Sequence, residues 1–347
     1  MNLFTDANAE FTTWVAKTGI LREPFVLVDV GVQGGENPSW HRLGDHLIVH
    51  GFDAIEEAVD QLQKRTAGTP NRHYHRIAAG NADEERIFYF NPANPTASSM
   101  YSQGSSRFDV SAHQQPRSVT VRRLDTLLAE GLIPKADFLK VDVEGFEKDV
   151  LLGAATLLAD VLGVESESNF GISAVYPKSH FCTLAEILLE YHLLVFDLVF
   201  NRVPRANFRR ALEKKGVTTG SHYHGYGKPA MVNVLFCRDL IDETDAPSKY
   251  RNERRLFSLD QLIKTLIIYE LYGLNDIAVD TALRFAELLA SRLDVDRAVW
   301  LLANPDSRPG GTGHEELRKH IYDLEHSTSW RLTAPLRAAK GLFTAWS

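Results

Sequence analysis

The chain has 347 residues and a formal net charge of −7, which argues against a nucleic-acid partner held by a broad basic surface. Its hydrophobic fraction of 44% and charged fraction of 24% are those of an ordinary globular protein. Two cysteines, Cys182 and Cys237, are too few for a disulfide framework, and no Cys/His spacing is typical of a zinc site. We find no signal peptide and no run of about 18 apolar residues, so we expect a cytoplasmic protein, at most peripheral to the inner membrane.

The first part of the chain alternates short apolar runs with helical periodicity, as expected for a parallel sheet with crossover helices. We predict a short amphipathic helix over residues 7–19 and a second helix over residues 54–64. Strands are predicted over residues 25–31, 47–53, 73–78 and 86–90.

A glycine-rich turn follows the first predicted strand. It begins at Gly31 and includes Gly34, and Asp29 stands at the tip of the strand. Glycines at such a turn let the backbone approach a ligand closely. Asp53 ends the second strand 22 positions after Gly31, a spacing that suits an acid bonded to a ribose diol. The dinucleotide fingerprint would need a glycine where Gln33 stands, which disfavours NAD.

The stretch of residues 137–154 is the centre of the chain. It begins as an apolar strand, is broken at Gly145, and continues with apolar residues at helical spacing. Lys140, Asp142 and Glu144 follow one another at alternate positions near the end of the strand. In an open parallel sheet the ligand crevice lies outside the carboxyl ends of the strands, so these three side chains are candidates to line a site.

The pattern Lys-x-Asp-x-Glu-Gly-x-Glu, followed by Val-Leu-x-Gly-Ala, closely resembles the signature of the FkbM family of S-adenosylmethionine-dependent methyltransferases. The Asp-Val-Gly turn, the acid after the second strand, the Ala-x-Gly loop after the third, the Ser98-Ser99 pair and the Leu124-Asp125 pair are similar to that family as well. Two positions depart from it: Gln33-Gly34-Gly35 replaces Ala-Asn-x-Gly, and Asp53 replaces a glutamate. The resemblance implies S-adenosylmethionine as cofactor, bound by Asp29, Gly31, Gly34, Asp53, Ala79, Gly80, Ser99 and Asp142.

The rest of the chain extends this α/β pattern and then becomes helical. Further strands are predicted over residues 162–167, 193–200 and 231–236, with a helix over 181–189. We therefore predict a Rossmann-like, doubly wound, seven-stranded methyltransferase sheet with a C-terminal helical appendage. The predicted boundaries are a methyltransferase domain over 1–240, a linker over 241–256 and a helical region over 257–347.

The last residues form a basic amphipathic segment. Residues 327–337 resemble a Ser-x-Ser-Trp-Arg-x-Thr-x-Pro-Leu-Arg element found at the ends of bacterial surface-polysaccharide enzymes. Apolar residues from Leu332 to Trp346 step by three and four, and basic residues lie off that stripe. Residues 327–347 are thus a candidate contact with a membrane surface or a glycan-assembly partner, the alternative being a tail packed on its own domain. The helices after about residue 245 are a candidate homodimer surface.

Methyl transfer to oxygen requires that a hydroxyl group lose its proton. Asp142 and Glu144 are the candidates for the base, and Lys140 is placed to pair with them and keep them ionised. Two histidines, His222 and His224, lie in a glycine-rich loop and are an alternative base pair.

Two acids of the next strand are candidates for a second role. The resemblance places a family glutamate at Glu165, and Glu167 follows two positions later. Either could orient the acceptor or join Asp142 around a divalent cation, Mg²⁺ or Mn²⁺, since such ions prefer oxygen ligands. If there is a metal site, Asp142 and Glu165 are its predicted ligands.

The resemblance and the tail together predict an O-methyltransferase that acts on a sugar hydroxyl of a bacterial surface glycan or its precursor. Two alternatives stay open. A metal-dependent glycosyltransferase would use Asp142 and Glu144 as an acidic metal motif and would bind a nucleotide-sugar. A non-catalytic assembly protein would keep the methyltransferase fold without its activity.

Overall fold

A computed structural model describes residues 3–4, 8–102, 114–170, 179–203, 214–215, 228–241 and 257–304. The loop histidines His222 and His224, the linker after residue 241 and the tail over 327–347 lie outside the described residues. Within the described part of the chain, no helix is long and apolar enough to cross a membrane.

Among the described residues, ten strands form two sheets. They are β1 (Phe25–Val30), β2 (Leu47–Phe52), β3 (Arg72–His75), β4 (Ala78–Ala79), β5 (Glu84–Phe90), β6 (Gln115–Arg122), β7 (Phe138–Val141), β8 (Gly163–Asn169), β9 (Leu194–Val203) and β10 (Lys228–Cys237). The main sheet has seven strands in the order β3-β2-β1-β7-β8-β10-β9. Strands β3 to β8 of this order are parallel, and β10 runs antiparallel to both β8 and β9. The predicted seven-stranded α/β fold is confirmed.

The strand predicted over residues 86–90 exists but does not join the main sheet. As β5 it pairs antiparallel with β6, and β6 pairs with β4, in a separate sheet of three strands. The apolar run predicted a strand correctly, but periodicity carries no information about which strand is its partner.

The helices are α1 (Glu10–Lys17), α2 (Glu56–Arg65), α3 (Leu124–Ala129), α4 (Glu147–Leu152), α5 (Ala155–Leu158), α6 (Phe181–Leu189), α7 (Leu259–Leu271), α8 (Asn275–Arg284), α9 (Ala286–Leu289) and α10 (Val295–Ala303). The apolar stripe after the central strand is divided between α4 and α5, not carried by one helix. The break falls at Gly153, where a Cβ atom would lie 1.8 Å from the carbonyl oxygen of Gly80. The chain between α4 and α5 can pass this backbone only because residue 153 has no side chain.

Two hydrophobic cores cover the two faces of the main sheet. One core joins the inner residues of α3 to α6 and of the small sheet to Val28, Leu139 and Val164. The other joins α1, α2 and the C-terminal helices to the opposite side of the same strands. Helix α7 is at its centre, with every residue from Leu262 to Leu271 buried. The C-terminal helices thus supply a layer of the fold that covers the sheet.

Two buried charged side chains of α7 also bind it to α1 and to the start of β7. The Glu270 carboxylate accepts hydrogen bonds from the amides of Phe11 and Thr12, at 2.8 and 2.7 Å, and from the Thr12 hydroxyl at 2.6 Å. Helix α1 has no side-chain cap of its own, so Glu270 satisfies amides that the helix leaves free. Lys264 pairs with Asp137, immediately before β7, at 2.9 Å.

Replacing Glu270 with glutamine should lower the free energy of unfolding by about 2 kcal/mol, because one amide of α1 would then face an NH₂ group instead of an oxygen. Urea denaturation of the Glu270→Gln protein measures this. Glu287→Gln, on the exposed surface of α9, is the matched control and should change the free energy of unfolding by less than about 0.5 kcal/mol. Equal effects of the two substitutions would show that Glu270 does not hold α1 in place.

Candidate active site

A cleft of about 270 Å³ lies at the carboxyl ends of β1, β2, β7 and β8. One side is apolar and includes Phe52, Ile55, Phe88, Met100 and Phe146. The other side carries four carboxylates, those of Asp53, Asp142, Glu144 and Glu167. Among the described residues that line the cleft there is no lysine, arginine or histidine.

The glycine turn after β1 forms the floor of the cleft. Gly31 has φ of 86°, and a Cβ atom there would lie 1.8 Å from the carbonyl oxygen of Asp142. The Gly31 amide donates to the carbonyl of Phe52 at 2.8 Å, which ties the turn to the end of β2. Any other residue at position 31 would separate β1 from the loop after β7. Gly34 also has positive φ but does not line the cleft.

Asp53 lies where an acid after β2 was predicted. Its side chain is buried, and its Oδ1 accepts a hydrogen bond from the Ile55 amide at 2.8 Å. Burial raises the pKa of Asp53 to about 6, against the lowering effect of the Ile55 and Gln33 amides. The carboxylate is therefore ionised at neutral pH at the edge of the apolar wall.

Of three other residues predicted to bind the cofactor, one lines the cleft and two lie behind its lining. Ala79 lines the cleft, whereas Gly80 packs beneath it, with no room for a Cβ atom beside Val121 and Phe146. The Ser99 hydroxyl donates to the carbonyl of Glu144 at 2.7 Å and does not line the cleft. Since Glu144 has φ of 51°, uncommon for a residue with a side chain, Ser99 helps to hold a strained loop.

Lys140 lies beneath the cleft, between Asp29 of β1 and Asp142, which follows the end of β7. Its ammonium is 3.3 Å from the Asp142 carboxylate and 3.6 Å from that of Asp29. Asp29 is buried, and burial raises its pKa while the Lys140 charge lowers it. Asp29 and Lys140 thus form an ion pair under the glycine turn, and neither is a lining residue.

Glu165 does not reach the cleft, contrary to its predicted role beside Asp142. It lies in register with Lys140 and accepts a hydrogen bond from the Tyr272 hydroxyl at 2.6 Å. Glu167, two positions further along β8, lines the cleft instead. Among the described residues, no cluster of three or more His, Cys, Asp and Glu side chains is arranged to hold a metal ion.

Glu167 has an unusual electrostatic environment. Burial raises its pKa to about 9, and the nearby charges of Asp142, Glu144 and Glu147 add to this effect, against that of Lys140. Glu167 is therefore protonated at neutral pH, so it can both donate and accept a hydrogen bond in the cleft.

In a comparison with protein families, residues 29–181 match the family described as "Methyltransferase FkbM domain". The matched segment runs from the acid at the end of β1 to the first residue of α6, and it includes the glycine turn and all four carboxylates of the cleft. A search of curated proteins finds no match.

Several solved structures are similar in fold. They include a methyltransferase FkbM from Methylobacillus flagellatus KT (16% identity, TM-score 0.34, 65% of this chain and 47% of that chain covered). The N-methyltransferase NodS from Bradyrhizobium japonicum WM9, in complex with S-adenosyl-L-homocysteine, has 10% identity and a TM-score of 0.30, with 67% and 89% covered. Fibrillarin from Aeropyrum pernix, with natively bound S-adenosyl-L-methionine, has 9% identity and a TM-score of 0.31, with 65% and 76% covered.

The match to the Methylobacillus structure spans less than half of that protein. All three TM-scores are below 0.5, so we draw no functional conclusion from these structures. The family match is independent of them and covers the motif from which the resemblance was predicted. That resemblance is confirmed: residues 29–181 of this chain match the FkbM methyltransferase domain.

Proposed function

We propose that this protein transfers a methyl group from S-adenosylmethionine to a hydroxyl group of a sugar, in a bacterial surface glycan or its precursor. One observation carries the choice of cofactor. The cleft has four acidic side chains, of which Glu167 is neutral in the free protein, and its described lining has no cationic side chain. A ligand with a positively charged sulfonium is attracted to such a site, whereas the pyrophosphate of NAD or of a nucleotide-sugar is repelled.

The cleft has the parts that a nucleoside cofactor with a cationic centre requires. The Asp53 carboxylate is the partner for the ribose hydroxyls, and the adjacent apolar wall, with Phe52 and Ile55, suits an adenine ring. Asp142 and Glu167 stand toward β7 and β8 and suit the sulfonium end. The residues present therefore fit S-adenosylmethionine.

The bound cofactor would supply an electrophilic methyl group. The protein must hold the acceptor hydroxyl in line with that group and take up its proton. Asp142 is our candidate base, because it lines the cleft beside the proposed sulfonium end. Its carboxylate lies 3.3 Å from the Lys140 ammonium beneath the cleft. Glu144 and Glu167 line the same cleft and are our candidates to orient the acceptor through hydrogen bonds.

The choice of a sugar hydroxyl rests on two points. The acceptor end of the cleft is polar and rich in oxygen atoms, as a polyhydroxylated ligand requires, and the tail over 327–347 resembles that of surface-polysaccharide enzymes. The alternative of a metal-dependent glycosyltransferase would need a metal site, and the described residues offer no such cluster. A membrane or partner contact through the tail, and a homodimer, stay predictions.

Asp53→Asn should weaken the binding of S-adenosylmethionine by at least about tenfold, because hydrogen bonds from the ribose hydroxyls to a charged acceptor would be lost. Asparagine keeps an oxygen for the Ile55 amide, so the loop should keep its conformation. Isothermal calorimetry measures the affinity. The control is Asp60→Asn, on the surface of α2, and unchanged binding by Asp53→Asn would contradict the assignment of the ribose site.

Binding of S-adenosylmethionine should release a proton from Glu167. A cation beside this carboxyl stabilises its ionised form and lowers its pKa from about 9. By linkage, the affinity should rise between pH 7 and pH 9, by at most about tenfold per pH unit. S-adenosylhomocysteine has an uncharged sulfur and should show a much smaller rise.

The proton release is measured by calorimetry in buffers of different ionisation enthalpy. Glu167→Gln should abolish the difference between the two ligands in proton release and in pH dependence. The same pH dependence for both ligands in the wild-type protein would place the sulfonium away from Glu167 and argue against the proposed orientation.

A further inference from the structure

A second, much smaller cavity adjoins the cleft. Its volume is about 10 Å³, room for a single hydroxyl group or a water molecule. Glu144 and Glu167 line both spaces, so the cavity meets the cleft at these two side chains. The far side of the cavity is formed by Glu147, at the start of α4, and by Ser168 and Ser179.

Three buried polar atoms at this cavity lack a hydrogen-bond partner within the described part of the chain: Glu147 Oε2, Ser168 Oγ and Ser179 Oγ. Their side chains are almost fully buried, with residue exposures of 1%, 3% and 0%. A buried polar group without a partner typically costs about 1–3 kcal/mol. Three such groups around one cavity therefore indicate a site that is completed by a ligand or by water.

The Glu147 carboxylate is held in a fixed orientation. Its Oε1 accepts hydrogen bonds from the amides of Val143 and Gly145, at 3.2 and 3.0 Å. Burial raises the pKa of Glu147, against the lowering effect of the Ser179 hydroxyl and the Gly145 amide. Ser179 is thus close to Glu147, although the two make no hydrogen bond of ordinary geometry. The backbone carbonyl of Ser179 is fixed by the Asn169 amide at 2.7 Å.

A hydroxyl group satisfies this set of atoms. It can donate to Glu147 Oε2 and accept from a serine hydroxyl, whereas an ammonium group can only donate. Because Glu144 and Glu167 line both spaces, a group in the cavity lies beside the same two carboxyl groups that a ligand in the cleft would contact.

We propose that this cavity binds a second hydroxyl of the acceptor, adjacent to the hydroxyl that is methylated, so that the acceptor is recognised as a vicinal diol of a sugar ring. This inference rests on the proposed function. It assigns Glu147, Ser168 and Ser179 as positioning residues for the acceptor and gives them no part in holding the methyl donor.

The test is acceptor binding measured by saturation-transfer NMR, with the protein saturated with S-adenosylhomocysteine. The probes are the methyl glycosides of mannose, galactose, rhamnose and fucose, which together present cis and trans diols in both absolute configurations. Each probe that binds is compared with its monodeoxy analogues. The variants are Ser168→Ala and Ser179→Ala.

Ser166→Ala is the matched control. Ser166 is buried on the same strand as Ser168, but its hydroxyl donates to the carbonyl of Glu167 at 3.1 Å and it does not line the cavity. Calorimetry with S-adenosylhomocysteine should give the same affinity, within twofold, for all three variants. That result would show that each variant is folded and binds the cofactor product.

We expect at least one glycoside to bind, and Ser168→Ala and Ser179→Ala to weaken its binding by about tenfold, with less than a twofold effect of Ser166→Ala. The deoxy analogue that lacks the second hydroxyl should bind weakly and equally to wild type and both variants. Equal losses for parent and deoxy sugars would show that the cavity holds only structural water and would overturn the inference.

Two further outcomes separate this inference from the proposed function. If the protein binds S-adenosylhomocysteine but none of the glycosides, the assignment of a sugar diol as acceptor is overturned. The assignment of S-adenosylmethionine as methyl donor is then retained. If it binds neither S-adenosylmethionine nor S-adenosylhomocysteine, the proposed function fails, and the acceptor assignment fails with it.

Discussion

The charge of Lys140 is the constraint on which the site depends. Three neighbouring strands place Asp29, Lys140 and Glu165 side by side in register. Asp142 lies two positions after Lys140, and its carboxylate is 3.3 Å from the Lys140 ammonium. Burial alone would lower the pKa of Lys140, but the charges of Asp29, Asp142 and Glu165 raise it. Without this ammonium, the buried Asp29 carboxylate would lie near those of Asp142 and Glu165 with no cation between them, which is costly where water is largely excluded.

One lysine does not neutralise all the acids around it. Asp53, Asp142, Glu144 and Glu167 line the cleft, while Lys140 stays beneath it. The surplus of negative charge faces the ligand, and the protonation of Glu167 relieves part of it in the free protein. A cationic ligand would relieve the rest. The excess of acidic over basic side chains at this edge of the sheet therefore also favours a cationic cofactor.

The C-terminal helices take part in this balance. Tyr272, at the end of α7, donates to Glu165, which lies beside Lys140 in the sheet. Tyr272 also packs against Phe138 of β7, with ring centroids 5.6 Å apart. A helix more than 100 residues after the central motif thus fixes an acid of the central ion cluster. Removing that helical layer would expose the sheet and leave Glu165 without its partner.

Much of the fold could be predicted from sequence because its signals are local. The apolar runs of β1, β2 and β7 and the glycine turn have characteristic short patterns, and Gly31 and Asp53 lie where those patterns placed them. Contacts between distant segments could not be predicted in this way. Glu165 and Glu167 share one face of β8, and only the three-dimensional structure shows that Tyr272 covers the first. The small polar cavity likewise brings together Glu147, Ser168 and Ser179, which have no common sequence motif.

The most direct test of the account is a crystal structure of the protein grown with S-adenosylhomocysteine. We predict that the ribose hydroxyls contact the Asp53 carboxylate, that the adenine lies against the apolar wall, and that the sulfur faces Asp142 and Glu167. A nucleoside bound elsewhere, or one bound in the cleft with its ribose away from Asp53, would contradict the assignment of this acidic cleft as the methyl-donor site.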